Sequence, residues 1–215
     1  PRSVIDTEAE ERGTSVYLVD RTIPMLPEKF SNELCSLRPD EESLCFSAVF
    51  TLNEEAEVLD KWLGRTVIHS DRRFTYEEAQ QIIETGKGDF AEEVLTLNRL
   101  AQRMRKTRFK HGAVSFQREE AKFKLDAEGK PLSVYFKEQK EANQLIEEFM
   151  LLANKQVAEF CGHHKVNGRA VRRTMVYRVH DVPNEEKLEK FRTFVLRFGY
   201  VFKADKGRAV AKEMN

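Results

Sequence analysis

The chain has 215 residues with 36 Lys and Arg against 36 Asp and Glu, so net charge argues neither for nor against a polyanionic partner and only its distribution can. Hydrophobic residues make up 40%, and no apolar run approaches the roughly 20 residues of a membrane helix, which excludes a helical span and predicts no membrane partner. Three cysteines, at 35, 45 and 161, form no CxxC pair and leave an odd thiol, which points to a reducing, cytoplasmic compartment.

Residue 1 is Pro, with no Met and no basic-then-apolar leader, so the sequence is expected to be a segment of something longer. Residues 1–14 are polar, and the alternating, β-branched SVYLV at 15–19 predicts a short strand. Pro24, Pro27 and Pro39 predict irregular structure over 20–43, with a turn of helix near 27–33. Residues 44–52 and 58–69 read as two strands joined at 53–56 in a hairpin.

Thr75 precedes an acidic turn and an apolar face, which predicts a capped helix stopping at Gly86. From Asp89, apolar residues recur at three and four through Met104, predicting a longer helix with a basic tail, broken at Gly112. Residues 113–116 are a strand candidate, and 122–126 with 132–136 form a hairpin around Glu128-Gly129-Lys130. The broad apolar stripe from 138 to about 161 predicts a long helix closed by Gly162. A short strand at 176–179 and a helix over 185–198, capped by Asn184 and stopped by Gly199, complete the series. Nothing repeats at a fixed period, and no Gly/Ser-rich linker divides the chain.

The chemistry-bearing residues are sparse. His163 and His164 are adjacent, which does not give the i, i+4 spacing of a helical metal pair. Gly86-Lys87-Gly88 lacks the spacing of a phosphate loop and reads as a helix stop. Two-metal phosphodiester chemistry needs crowded carboxylates, whereas the nine Asp are scattered, the closest pair being Asp60 and Asp71. Basic clusters are more suggestive, with six cations over 99–110 and Lys165, Arg169, Arg172, Arg173 and Arg178 further on. Such stripes either neutralise phosphates or are solvated faces balanced by neighbouring Glu.

Five blocks taken in order carry a resemblance. These are GTSVYLVDRTIPMLPE at 13–28 with NELCSLRP at 32–39, RFTYEE at 73–78, GAVSF at 112–116, NQLIEEFMLLAN at 143–154, and VHDVPNEEKL at 179–188. Together they resemble the RNB-domain exoribonucleases, the family of RNase II and RNase R, and look most like bacterial RNase R. The resemblance implies an α+β fold, a mixed and largely antiparallel sheet packed with helices, with residues 1–215 forming the central portion of one RNB catalytic domain. It also implies processive 3′-to-5′ hydrolysis of single-stranded RNA to nucleoside 5′-monophosphates, with no obligate protein partner evident. Mg²⁺ would act at the scissile phosphate through ligands upstream of Pro1. The catalytic Arg and Glu would lie downstream of Asn215, so this segment carries no catalytic or metal residue. The cold-shock and S1 domains of OB type would also lie outside it.

The same resemblance assigns base stacking to Tyr17 and Phe116, and contact with the ribose 2′-hydroxyl to Tyr76 and Glu147. Stacking holds any base, and the 2′-hydroxyl distinguishes RNA from DNA. By their local pattern alone Tyr17 and Phe116 also fit core aromatics, and Tyr76 fits an exposed helix residue. Glu147 lies among Leu145, Ile146, Phe149 and Met150, so it needs either the groove or a charged partner. The alternative reading of the whole is a non-catalytic RNA-binding or scaffold module built on the RNB fold.

Overall fold

The computed structural model describes residues 2–114, 120–162, 165–166, 168–171, 176 and 181–203. The chain is α+β, in two compact units. Unit 1 comprises Pro1–Ser47, Leu63–Ala79 and Arg118–Lys140; unit 2 comprises Ala48–Trp62, Gln80–Gln117 and Glu141–Asn215. Among the described residues the strands form four two-stranded ladders, so the antiparallel character is spread over hairpins instead of one continuous sheet.

Unit 1 begins with helix α1, Val4–Arg12, where sequence patterning predicts no element. The helix has no buried residue and therefore no apolar period to detect. Its signals are at its ends: Ser3 Oγ accepts from Asp6 N, and Gly13 closes it at φ 66°. Strand β1, Val16–Tyr17, pairs antiparallel with β2, Thr22–Ile23, setting Tyr17 opposite Thr22. The expected turn of helix is a single π-helical turn, Lys29–Leu34.

Strands β3, Glu42–Leu52, and β4, Val58–His69, make the expected hairpin. In its base, Ser47 and Thr66 join hydroxyls at 2.6 Å. Strands β5, Glu120–Leu125, and β6, Pro131–Lys137, make the second. There Asp126 Oδ1 accepts from the backbone N–H groups of Glu128 and Lys130, and Gly129 takes φ 79°, a left-handed angle that suits glycine. The strand expected over 113–116 is not formed at Ala113 or Val114, and its remainder lies outside the described residues. Val176 likewise has no regular structure, and the rest of the 176–179 expectation lies outside them.

Helix α2, Tyr76–Thr85, follows Thr75 as expected. Thr75 Oγ1 accepts from Glu78 N at 3.1 Å while Glu78 Oε2 accepts from Thr75 N at 2.8 Å, a reciprocal capping box. Helix α3, Ala91–Lys110, and helix α4, Glu141–Gly162, form the core of unit 2. Ala101 and Ala142 are its most buried residues, at 0% and 2% exposure, and such small side chains let two helix backbones approach. Polar ties join the helices at Asn98 with Glu141, Gln102 with Gln144, and Arg108 with Glu148. These pairs advance in the same direction along both helices, so α3 and α4 run parallel over this stretch. Two-residue strands β7, Lys165–Val166, and β8, Arg169–Ala170, pair antiparallel, a hairpin sequence patterning did not predict. Helix α5, Glu185–Leu196, is capped by Asn184 as expected.

Candidate nucleic-acid interface

In unit 1, Tyr17 lies on β1 with its side chain largely in solvent, at 79% exposure. Within unit 1 the ring is not covered as a core aromatic would be. Tyr76 is the first residue of α2 and is part-exposed. The turn that presents it is stiff, because Arg72 Nη2 donates to Glu78 Oε1 at 3.1 Å and the capping box holds the other carboxylate oxygen. The Thr75 backbone N–H, then its hydroxyl, hold the Glu78 carboxyl below the usual glutamate range, and Arg72 adds to this. Phe116 lies outside the described residues.

Glu147 lies in unit 2, on the second turn of α4, and has the charged partner its surroundings require. Arg108 Nη2 donates to Glu147 Oε1 at 3.0 Å, and Arg105 Nη1 lies 3.6 Å from Oε2. Its neighbour Glu148 is bound more tightly by the same guanidinium. Arg108 Nε lies 3.1 and 3.2 Å from the two Glu148 oxygens, and Nη2 lies 2.6 Å from Oε1. The side chain of Glu148 is 3% exposed against 43% for Glu147, so of two adjacent carboxylates one is buried and the other reaches solvent. Glu148 first, and Glu147 after it, push the Arg108 pKa further up, which keeps the guanidinium charged.

These contacts divide the basic cluster at 99–110 between its two readings. Arg105 and Arg108 face Glu147 and Glu148, and Arg103 binds the Glu54 carbonyl and the Glu55 carboxylate, so half of the cluster is balanced internally. Among the described residues Arg99, Lys106 and Lys110 form no ion pair and remain available to a polyanion. An open cleft of about 850 Å³ lies between the hairpin tip, the C-terminal half of α3 and the middle of α4, with Lys106, His111 and Lys155 on its walls. Sequence reasoning counted Arg105 and Arg108 as cations but did not pair them with α4. Only the packing of two helices some 40 residues apart brings them together.

Among the described residues no group of three or more His, Cys, Asp or Glu could hold a metal ion. None of the described side chains is assigned to the Mg²⁺ of the implied chemistry. Among the same residues no helix is long and apolar enough to cross a membrane.

Comparison with known proteins agrees with the five blocks. The model of the RNB domain matches residues 1–214, and the chain belongs to this family, that of RNase II and RNase R. It is 38% identical over 230 residues to DIS3-like exonuclease 2 of Schizosaccharomyces pombe, covering all of this chain and 24% of that protein. It is 37% identical to the inactive exonuclease DIS3L2 of Arabidopsis thaliana, covering 93% of this chain and 20% of that one. In fold it is similar to Mycoplasma genitalium RNase R in complex with double-stranded RNA, with a TM-score of 0.84 and 24% identity over 99% of this chain and 38% of that one. The chain thus spans about a quarter of the length of the curated relatives it matches.

Proposed function

We propose that this chain forms walls of the RNA channel in a cytoplasmic, processive exoribonuclease that degrades single-stranded RNA from its 3′ end to nucleoside 5′-monophosphates. In this reading Tyr17 and Phe116 stack on bases, Tyr76 and Glu147 contact the ribose, and the Mg²⁺ ligands lie in the rest of the protein. The carrying observation is the exposure of Tyr17, a ring open to a stacking partner within a block typical of the family. The part-exposed Tyr76 and Glu147 supply a phenol and a carboxylate, both able to accept from a ribose hydroxyl.

A second reading is a non-catalytic RNA-binding or scaffold protein on the same fold, and the relative named an inactive exonuclease favours keeping it. The full-length protein, incubated with Mg²⁺ and single-stranded RNA labelled at its 5′ end, separates the two. Stepwise shortening with release of 5′-monophosphates is the expected result. Binding without shortening would select the second reading, and neither would overturn both.

A further inference from the structure

Glu147 and Glu148 are adjacent on α4, so their side chains leave the helix about 100° apart, yet a single guanidinium binds both. An arginine head is planar and rigid, and its donors form a fixed fork. Two donors on the buried Glu148 set the plane of that fork, and the second hydrogen of Nη2 is then aimed at Glu147 Oε1, 3.0 Å away. The ring of Phe109 supports the arrangement, with its centroid 5.2 Å from the Arg108 guanidinium and 4.9 Å from that of Arg105. Glu147 Oε2 is 3.6 Å from Arg105 Nη1, an ion-pair distance beyond hydrogen-bond geometry. One oxygen of Glu147 is therefore tethered by a hydrogen bond, while the other is held only at ion-pair distance on a side chain 43% exposed.

We propose that Arg108, anchored on the buried Glu148, is a positioning residue that aims Glu147 Oε2 at the ribose 2′-hydroxyl and thereby sets the discrimination between RNA and DNA. The inference rests on the ribose-contact reading of Glu147 and adds the group that makes that contact directional. An untethered glutamate samples several rotamers, and fixing one of them on binding costs conformational entropy. Lysine cannot replace the fork, because its point charge does not hold two carboxylates at set angles.

The test measures the ratio of turnover on matched RNA and DNA oligonucleotides in the full-length protein. Wild type is compared with Glu147→Ala, Arg108→Lys and the double variant, with melting temperatures alongside. Glu147→Ala is expected to lower the RNA-to-DNA ratio, and Arg108→Lys to lower it by roughly 10- to 100-fold through misplacement. In the double variant the ratio should match that of Glu147→Ala alone, because Arg108 acts through Glu147, although the melting temperature falls further. A purely structural arginine would not give that coupling. Where Arg108→Lys melts below the assay temperature, the isosteric Glu148→Gln, which loosens the anchor, carries the same expectation. An unchanged ratio in Glu147→Ala would overturn the ribose reading itself. A lowered ratio there, with a wild-type ratio in Arg108→Lys and Glu148→Gln or independent effects in the double variant, would overturn the positioning role alone.

Discussion

Arg108 on α3 grips Glu148 on α4 with two nitrogens, at 2.6 to 3.2 Å, across 40 residues of sequence. Glu148 is almost fully buried, at 3% side-chain exposure, and Arg105 Nη1 also lies 3.5 Å from its Oε1, whereas the adjacent Glu147 is 43% exposed.

Glu148→Ala should therefore destabilise the protein, by about 2–3 kcal/mol, because the part-buried fork of Arg108 would lose its main acceptor and the helix contact a buried, satisfied carboxylate. Glu147→Ala, at a position 43% exposed, should lower stability by less than about 1 kcal/mol. Chemical denaturation of the two variants against wild type checks the order. Equal losses would mean that burial does not distinguish them, and Glu148 cannot in any case serve as a neutral control for Glu147 in activity assays.

Tyr17→Ala and Phe116→Ala should change the length of the undigested end product more than they change sequence preference. Stacking acts on every base and is worth roughly 1–3 kcal/mol, so it determines how short a strand stays held. Gel analysis of the products from full-length variants reads this directly. If both variants leave the wild-type end product, the rings do not clamp the strand.

The capping box of α2 predicts a pH dependence. Glu78 has a folded pKa below its unfolded one, so its contribution is complete above the unfolded value, about 4.3, and is lost as pH falls through the lower folded value. Glu78→Gln preserves the box geometry but does not titrate, so wild-type stability should fall more steeply than that of Glu78→Gln as pH drops below about 4.3. Thr75→Ala, which removes the acceptor for Glu78 N, should cost about 1 kcal/mol at neutral pH. Melting temperatures across the acid range test both, and parallel acid limbs for wild type and Glu78→Gln would show that the carboxylate is not held as described.

The sequence by itself determined the elements whose information is local. The β3–β4 and β5–β6 hairpins, the Thr75 and Asn184 caps and the α3 and α4 stripes all follow from turn chemistry and periodicity within a few residues, and the five ordered blocks reveal the family. Helix α1 escaped periodicity because it buries no face, although Ser3 and Gly13 mark its ends. What only the tertiary structure decided is where charge goes. Adjacent Glu147 and Glu148 carry the same side chain and share one guanidinium, and how far each also meets water depends on how α4 is rotated against α3. That rotation is set by the packing of Ala101, Ala142 and Leu145, so the part-exposed Glu147 and the buried Glu148 are a consequence of helix packing that no local pattern encodes.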